Sequence, residues 1–252
     1  MDKSGFIKTF SEEDSYRMAK LFESLERAKS FNFFYHTDEF YTPGVWNKIL
    51  KMKEYKEIIV MGEDFFERRI FASDVSGENP LAIIEIENLD TQTELAHRDY
   101  LGAIMSLGIL REKFGDIFLK DDKAYLVIFV DMADYIVDNL NQIGKCSVRL
   151  TLHDYEDKVL FLKPNLVKRE AVIASLRLDV VVAELAKTSR TKSLEMIQRG
   201  LVLLNYNETR DKAKEIKEGD TITVRKKGKY KVGEIIGTTQ KGNLRVAFYK
   251  FE

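Results

Sequence analysis

The chain has 252 residues, a formal net charge of −1, 44% hydrophobic and 32% charged residues, and a single cysteine. These values are typical of a globular protein of two or three small domains, and one cysteine excludes an internal disulfide. No apolar run approaches the roughly 18 residues of a membrane span, and the first residues lack the apolar core of a signal peptide. We therefore expect a cytoplasmic protein with no membrane partner.

Residues 1–76 predict a small amino-terminal α/β subdomain. Apolar residues recur at helical spacing over 11–30, where Ser11 is the expected cap. A second helix is expected from Pro43, since proline is favoured in the first helical turn. Two short strands, over 56–61 and 68–72, complete this part of the chain.

Residues 77–162 predict a ferredoxin-like domain, resembling an RNA recognition motif. The pattern reads strand, helix, strand, strand, helix, strand, which is the ferredoxin-like order. These elements are expected over 81–89, 93–110, 116–119, 124–130, 132–143 and 146–152. The aromatic RNP1 pattern of RNA recognition motifs is missing, so this arrangement alone does not predict RNA binding.

Residues 163–174 contain Pro164 and mixed charges and are predicted to be a connector. Residues 175–252 then predict two short helices packed on a small bent sheet. Ser189 suits the cap of the second helix, and Gly200 stands where a left-handed helix end is needed. The predicted fold class of the whole chain is α+β.

Charge is distributed unevenly along the chain. Residues 175–252 contain 17 Lys and Arg against 10 Asp and Glu, a net +7, whereas residues 1–174 contain 23 against 31, a net −8. A basic module joined to an acidic body indicates a polyanionic partner for the basic end. Lysines that merely keep a small domain in solution are the alternative.

Hydroxyls and cations surround the predicted start of the second helix. Ser189, Arg190, Lys192 and Ser193 lie where backbone N–H groups carry partial positive charge. Phosphate is the anion that suits this geometry, since arginine can bind it through two hydrogen bonds. Arg177 at the preceding helix could reach the same groove.

The stretch SLRLDVVVAELAKTSRTKSLEMIQRGLVLLN, followed by KEGDTITVRKKGKY, resembles the RNA-binding domain named after ribosomal protein S4. Thr191 and Ser193 replace the more frequent residues of its S-R-S-x-A pattern. The resemblance implies that the paired helices and the following strand bind structured RNA, largely through phosphate contacts. The residues predicted to bind RNA are Arg177, Asp179, Ser189, Arg190, Lys192, Ser193, Gln198, Arg199, Gly200, Val202, Asn205, Arg225, Lys226, Lys227 and Lys229.

Three further stretches resemble the YlmH family: HRDYLGAIMSLGILREKFGDIFL at 97–119, NLNQIGK at 139–145 and GTTQKGN at 237–243. Agreement is weaker in the first 75 residues, where the family's glycine-rich turn is incomplete at 61–69. The resemblance implies a factor that binds ribosomal RNA of the large subunit and peptidyl-site tRNA. It also implies a role in the rescue of stalled nascent chains, and for some family members a link to cell division.

No set of residues for nucleophilic, acid–base or metal chemistry is evident in the sequence. The histidines lie on separate predicted elements, and HExxH, CxxC and Walker motifs are missing. We therefore expect a non-enzymatic monomer with no cofactor and no metal. An RNA-modifying enzyme with its site in the amino-terminal body, around Glu67, Arg68, His97 and Arg98, is the alternative. A polar pocket holding His97 beside a carboxylate of perturbed pKa would favour it.

Overall fold

A computed structural model describes residues 1–11, 13–30, 33–74, 76–90 and 92–251. The chain divides into two compact units, Met1–Lys163 and Pro164–Glu252. Both units mix helices with antiparallel strands, so the α+β class is confirmed. In the described ranges, no helix is both long and apolar enough to cross a membrane.

The helices of the first unit are α1 (Lys3–Thr9), α2 (Ser15–Ser30), α3 (Pro43–Ile49), α4 (His97–Ser106), α5 (Val130–Asn139) and α6 (Tyr155–Lys158). Its strands are β1 (Ile59–Met61), β2 (Ile70–Ala72), β3 (Leu81–Asn88), β4 (Phe114–Lys120), β5 (Lys123–Phe129), β6 (Gln142–Ile143) and β7 (Cys146–Asp154). Short 3-10 turns lie at Lys53–Tyr55, Arg111–Lys113 and Val159–Leu162.

The second unit contains two helices, α7 (Leu178–Leu185) and α8 (Arg190–Gln198), within its described residues. Its strands are β8 (Leu166–Ile173), β9 (Val202–Leu204), β10 (Asn207–Glu208), β11 (Thr221–Val224), β12 (Gly228–Thr238) and β13 (Leu244–Phe251).

The amino-terminal helices follow the predicted pattern with one change of cap. Helix α2 begins at Ser15, where the Asp14 carboxylate accepts from the Arg17 N–H at 2.7 Å, so Ser11 is not the cap. Helix α3 begins at Pro43 as expected. Strands β1 and β2 pair antiparallel. Helix α1 was not expected.

Residues 81–154 form an antiparallel sheet in the order β4-β5-β3-β7-β6. The predicted sequence of strand, helix, strand, strand, helix, strand is present, with α4 and α5 shorter than expected. Asp121 and Asp122 both have positive φ, as a two-residue hairpin turn requires.

Alternate residues of this sheet enter two different hydrophobic cores. Ile84 and Leu126 face α4 and α5, whereas Ile83 and Val127 pack with Phe40 and with residues 155–162. Period-two alternation places neighbours on opposite faces. The sheet is therefore covered on both sides, and the face that carries stacking aromatics in an RNA recognition motif is here a core.

The second unit is a six-stranded antiparallel sheet in the order β10-β9-β11-β12-β13-β8. Helices α7 and α8 bury Val181, Val182 and Ile197 against it. The β12–β13 register shifts between Val232 and Ile235, and such irregularities bend a sheet.

The predicted connector is wrong in its secondary structure, because residues 166–173 form β8. This strand pairs with β13 from Ile173 opposite Leu244 to Leu166 opposite Phe251. Strand β8 lies at the sheet edge and is mostly exposed. An edge strand of this kind carries no apolar alternation and therefore gives little sequence signal.

Candidate nucleic-acid interface

A buried carboxylate joins the starts of the two helices in the second unit. The Asp179 side chain is 1% exposed and accepts from the Arg190 guanidinium at 2.8 and 2.9 Å and from Arg177 at 3.1 and 3.3 Å. Burial pushes the pKa of Asp179 upward, but the hydrogen bonds from the two arginines outweigh it and hold the pKa below 3.8. This Arg–Asp–Arg group is a structural link between α7 and α8.

Because Arg177 and Arg190 both donate to Asp179, fewer of their N–H groups remain free to bind a phosphate than the sequence predicted. Ser189 caps α8 as expected, since its hydroxyl accepts from the Lys192 N–H at 3.3 Å. At the start of α7, the N–H groups of Leu178 and Asp179 already donate to carbonyl oxygens of residues 214 and 212. The Arg190 side chain is 58% exposed, but its guanidinium is paired with Asp179 and is therefore only partly available to a phosphate.

Four of the residues predicted to bind RNA have roles within the fold itself. Val202 and Ser193 are fully buried, and the Ser193 hydroxyl donates to the Asp179 carbonyl at 2.7 Å. Gly200 has a φ of +67°, which ends α8 in the left-handed conformation as expected. The Asn205 amide bridges the Asp220 carboxylate and the Thr221 N–H, both at 2.8 Å. Side-chain contact between Val202 or Ser193 and RNA is excluded by their burial.

Within the described ranges, several exposed cationic side chains of the second unit have neither a hydrogen-bond nor an ion-pair partner, Arg169, Lys212 and Lys241 among them. Five more such side chains lie on α8, at its end and in the β11–β12 turn. We call them the cationic stripe: Lys192, Arg199, Arg225, Lys226 and Lys227. Their charges are unused by the fold and are available to an external anion.

The local structure places members of this stripe near one another. Lys192 and Arg199 are seven residues apart, which is two helical turns, so they share a side of α8 about 10 Å apart. The Arg225 N–H donates to the Leu201 carbonyl at 2.9 Å, which brings the β11–β12 turn beside the chain leaving α8. The Tyr230 hydroxyl also lies 3.2 Å from the Lys227 carbonyl in that turn.

Two other predicted residues lie near the stripe in different roles. Gln198 is exposed at the end of α8. Lys229 is half-buried, with its ammonium 4.6 Å from the Tyr206 ring centre and 4.7 Å from that of Phe251.

Glu195, for which the sequence predicted no role, is exposed between Lys192 and Arg199. Its carboxylate opposes binding of a phosphate there.

The residues of the enzymatic alternative are partly brought together in the first unit. The charges of Glu67 and of Arg111 both act on the pKa of His97, and burial is the largest cause of its lowering. Arg98 is 89% exposed, and its Nε atom lies 3.7 Å from the Asp99 carboxylate. Arg111 and Asp116 join this group without any spacing signal in the sequence. Among the described residues, no cluster of three or more His, Cys, Asp or Glu could hold a metal ion.

Comparison with known proteins finds a matching family domain and two similar proteins. A family model described as "Putative RNA-binding domain in YlmH" matches residues 77–157. Ribosome-associated protein quality control protein P2 of Bacillus subtilis (strain 168) is 33% identical over 168 residues, which is 67% of this chain. The chain spans only 65% of that relative's length in the match. A solved structure, titled "Cell division protein ylmH from Streptococcus pneumoniae", is 20% identical at a TM-score of 0.43, covering 55% of this chain and 90% of that one. By the family domain at 77–157 and the sequence identity to the curated relative, this chain belongs to the YlmH family.

Proposed function

We propose that the protein is a non-catalytic RNA-binding factor that acts in the rescue of stalled ribosomes. Its ligands are ribosomal RNA of the large subunit and peptidyl-site tRNA. The proposal places a monomer without cofactor on the ribosome, and hence in the cytoplasm. The Bacillus subtilis relative is named as a ribosome-associated quality control protein, which agrees with this role.

The cationic stripe is the observation that carries the proposal. Cations in well-formed ion pairs can stabilise a fold, whereas exposed cations without partners contribute little to it. In the described part of the second unit, five such side chains lie on α8, at its end and in the β11–β12 turn. Exposed lysine and arginine side chains can contact backbone phosphates, and proteins recognise folded RNA largely through its shape and backbone.

The architecture supports two finer assignments. Strand order β4-β5-β3-β7 with α4 and α5 on one face supports a ferredoxin-like domain within 77–162. Helices α7 and α8 against a bent antiparallel sheet support an S4-type domain, which we now begin at residue 164 because β8 belongs to its sheet.

Ribosome co-sedimentation of a triple charge reversal tests the proposal. Lys192→Glu, Arg199→Glu and Lys227→Glu replace three attractions by three repulsions at exposed positions. Charge-assisted contacts contribute about 1.5–3 kcal/mol each, so RNA affinity should fall at least ~100-fold even if only two of them contact phosphate.

The matched control reverses Lys51, Lys53 and Lys56, which are also exposed and have no ion-pair partner within the described ranges. This control has the same net charge as the stripe variant and should co-sediment like the wild type. Equal losses in both variants would show that net charge, and not the stripe, determines binding. Wild-type co-sedimentation of a folded stripe variant would refute the proposed site.

A further inference from the structure

Two arginines of the first unit are partly buried without an anionic partner. Arg68 donates no side-chain hydrogen bond to any described residue, and its Nη1 atom is inaccessible to solvent and unpaired. Arg111 donates only to neutral acceptors, the carbonyls of Phe114 and Gly115 at 2.8 and 2.9 Å. Removing a cation from water without an anionic partner is costly, so this arrangement lowers stability unless a ligand compensates it.

The charges of these arginines act on each other. Burial is the main cause that lowers the pKa of Arg111 to about 10, and the positive charge of Arg68 lowers it further. Burial likewise lowers the pKa of Arg68. Like charges held together in a partly desolvated position are a frequent feature of functional sites.

The neighbouring carboxylates do not neutralise the pair directly. Asp116 uses one oxygen to accept from the backbone N–H groups of Glu67 and Arg68, at 2.7 and 3.1 Å. Burial raises the pKa of Asp116 to about 6, so this carboxyl is mostly ionised at neutral pH, yet within the described residues it forms no ion pair with either arginine. The charges of Glu67 and Glu112 also act on both arginines through space and raise their pKa values.

We propose that Arg68 and Arg111, with His97 beside them, bind a phosphate group. Two guanidinium forks from separate elements can direct N–H donors to several oxygens of one phosphate, which a single carboxylate would not satisfy. His97 and Arg111 lie within 77–157, and the family description of that region names RNA, so an RNA backbone is one source of the phosphate. Free phosphate is the other source. This site lies outside the cationic stripe and does not depend on it.

Thermal melting of the full chain with and without inorganic phosphate, at constant ionic strength, tests the site. Arg68→Met removes the charge and keeps an apolar stem, whereas Arg98→Met is the control at an exposed neighbouring position. In chloride alone, Arg68→Met should melt no lower than the wild type. Phosphate at ten times its Kd should raise the wild-type and Arg98→Met melting temperatures by about 3 °C or more beyond its rise in Arg68→Met. Phosphate affinity, measured by calorimetry, should fall at least ~10-fold in Arg68→Met.

Binding of a single-stranded RNA separates the two sources. A ~10-fold loss of RNA affinity in Arg68→Met identifies the RNA backbone, and unchanged RNA affinity with a lost phosphate response identifies free phosphate. If Arg68→Met is unfolded, Arg68→Lys keeps the charge without the fork and should also lose phosphate affinity. The stripe variant should keep the phosphate response even if its ribosome binding is lost. Equal phosphate responses and RNA affinities in wild type and folded Arg68 variants would overturn the proposal.

Discussion

Reversing the charge at Arg190 should lower the stability of the fold, whereas reversing it at Lys192, only two positions away, should leave the stability nearly unchanged. Arg190 donates twice to the buried Asp179 carboxylate, whereas Lys192 has no side-chain partner among the described residues. A charge-assisted hydrogen bond contributes about 1.5–3 kcal/mol, reduced here because Arg190 is half exposed and Arg177 stays on Asp179. With the added repulsion between two carboxylates, Arg190→Glu should lower the stability of this unit by about 3 kcal/mol. Lys192→Glu should change it by about 0.5 kcal/mol or less.

Hydrogen exchange measured by mass spectrometry on the full chain distinguishes these outcomes. A loss of about 3 kcal/mol corresponds to ~100-fold faster exchange of the α7 and α8 amides in Arg190→Glu, and Lys192→Glu should exchange like the wild type while losing RNA affinity. Because the pKa of Asp179 is depressed in the folded state, this stabilisation is present above pH 3.8 and is lost as the pH falls further. Unchanged exchange in Arg190→Glu at neutral pH would show that the Arg–Asp–Arg link does not support the fold.

Three further outcomes are expected. Asp116→Asn should raise the melting temperature at pH 7.5. The pKa of Asp116 is about 6 in the folded chain against 3.8 in the unfolded chain, so its ionised carboxylate lowers the stability by up to about 3 kcal/mol above pH 6. The gain in melting temperature should vanish below pH 4, and equal gains at both pH values would contradict this reasoning. Glu195→Gln should tighten RNA binding several-fold at low salt and less at high salt, measured by fluorescence anisotropy, since it removes a repulsion inside the stripe; no change would place the RNA away from α8. A fragment of residues 175–252 should lack cooperative melting, whereas residues 164–252 should melt cooperatively, because only the longer one contains β8; equal melting would show that β8 is dispensable.

The elements with strong local signals were predictable from the sequence. Helix α3 starts at a proline, α8 starts at a serine cap, and Gly200 ends α8 with positive φ. Each of these features depends on a few consecutive residues, so that local chemistry decides it. Strand β8 depends instead on a partner strand more than 70 residues away and has no apolar alternation of its own.

The candidate site was less predictable, because the environment of a charge depends on packing. Arg190 and Lys192 are equivalent in a sequence motif, yet the crossing of α7 and α8 brings only Arg190 to Asp179. Val202 matches a family position, but its side chain lies in the core. The Asp116 carboxylate holds the backbone of residues 67 and 68 beside the strand whose Gly115 carbonyl accepts from Arg111, and no sequence spacing predicts that arrangement.

The pairing of β8 with β13 has a consequence for how the second unit is made. Its paired residues are separated by 71 positions at Ile173 and Leu244 and by 85 at Leu166 and Phe251. Contacts this distant form slowly, since the intervening loop must close before they contribute. During synthesis, β8 emerges first and has to wait, with an unpaired edge, for nearly the whole unit to follow. A chain whose synthesis stops before residue 244 would lack the strand that joins β8 to β12. Such unfinished copies should therefore expose strand edges and remain susceptible to proteolysis.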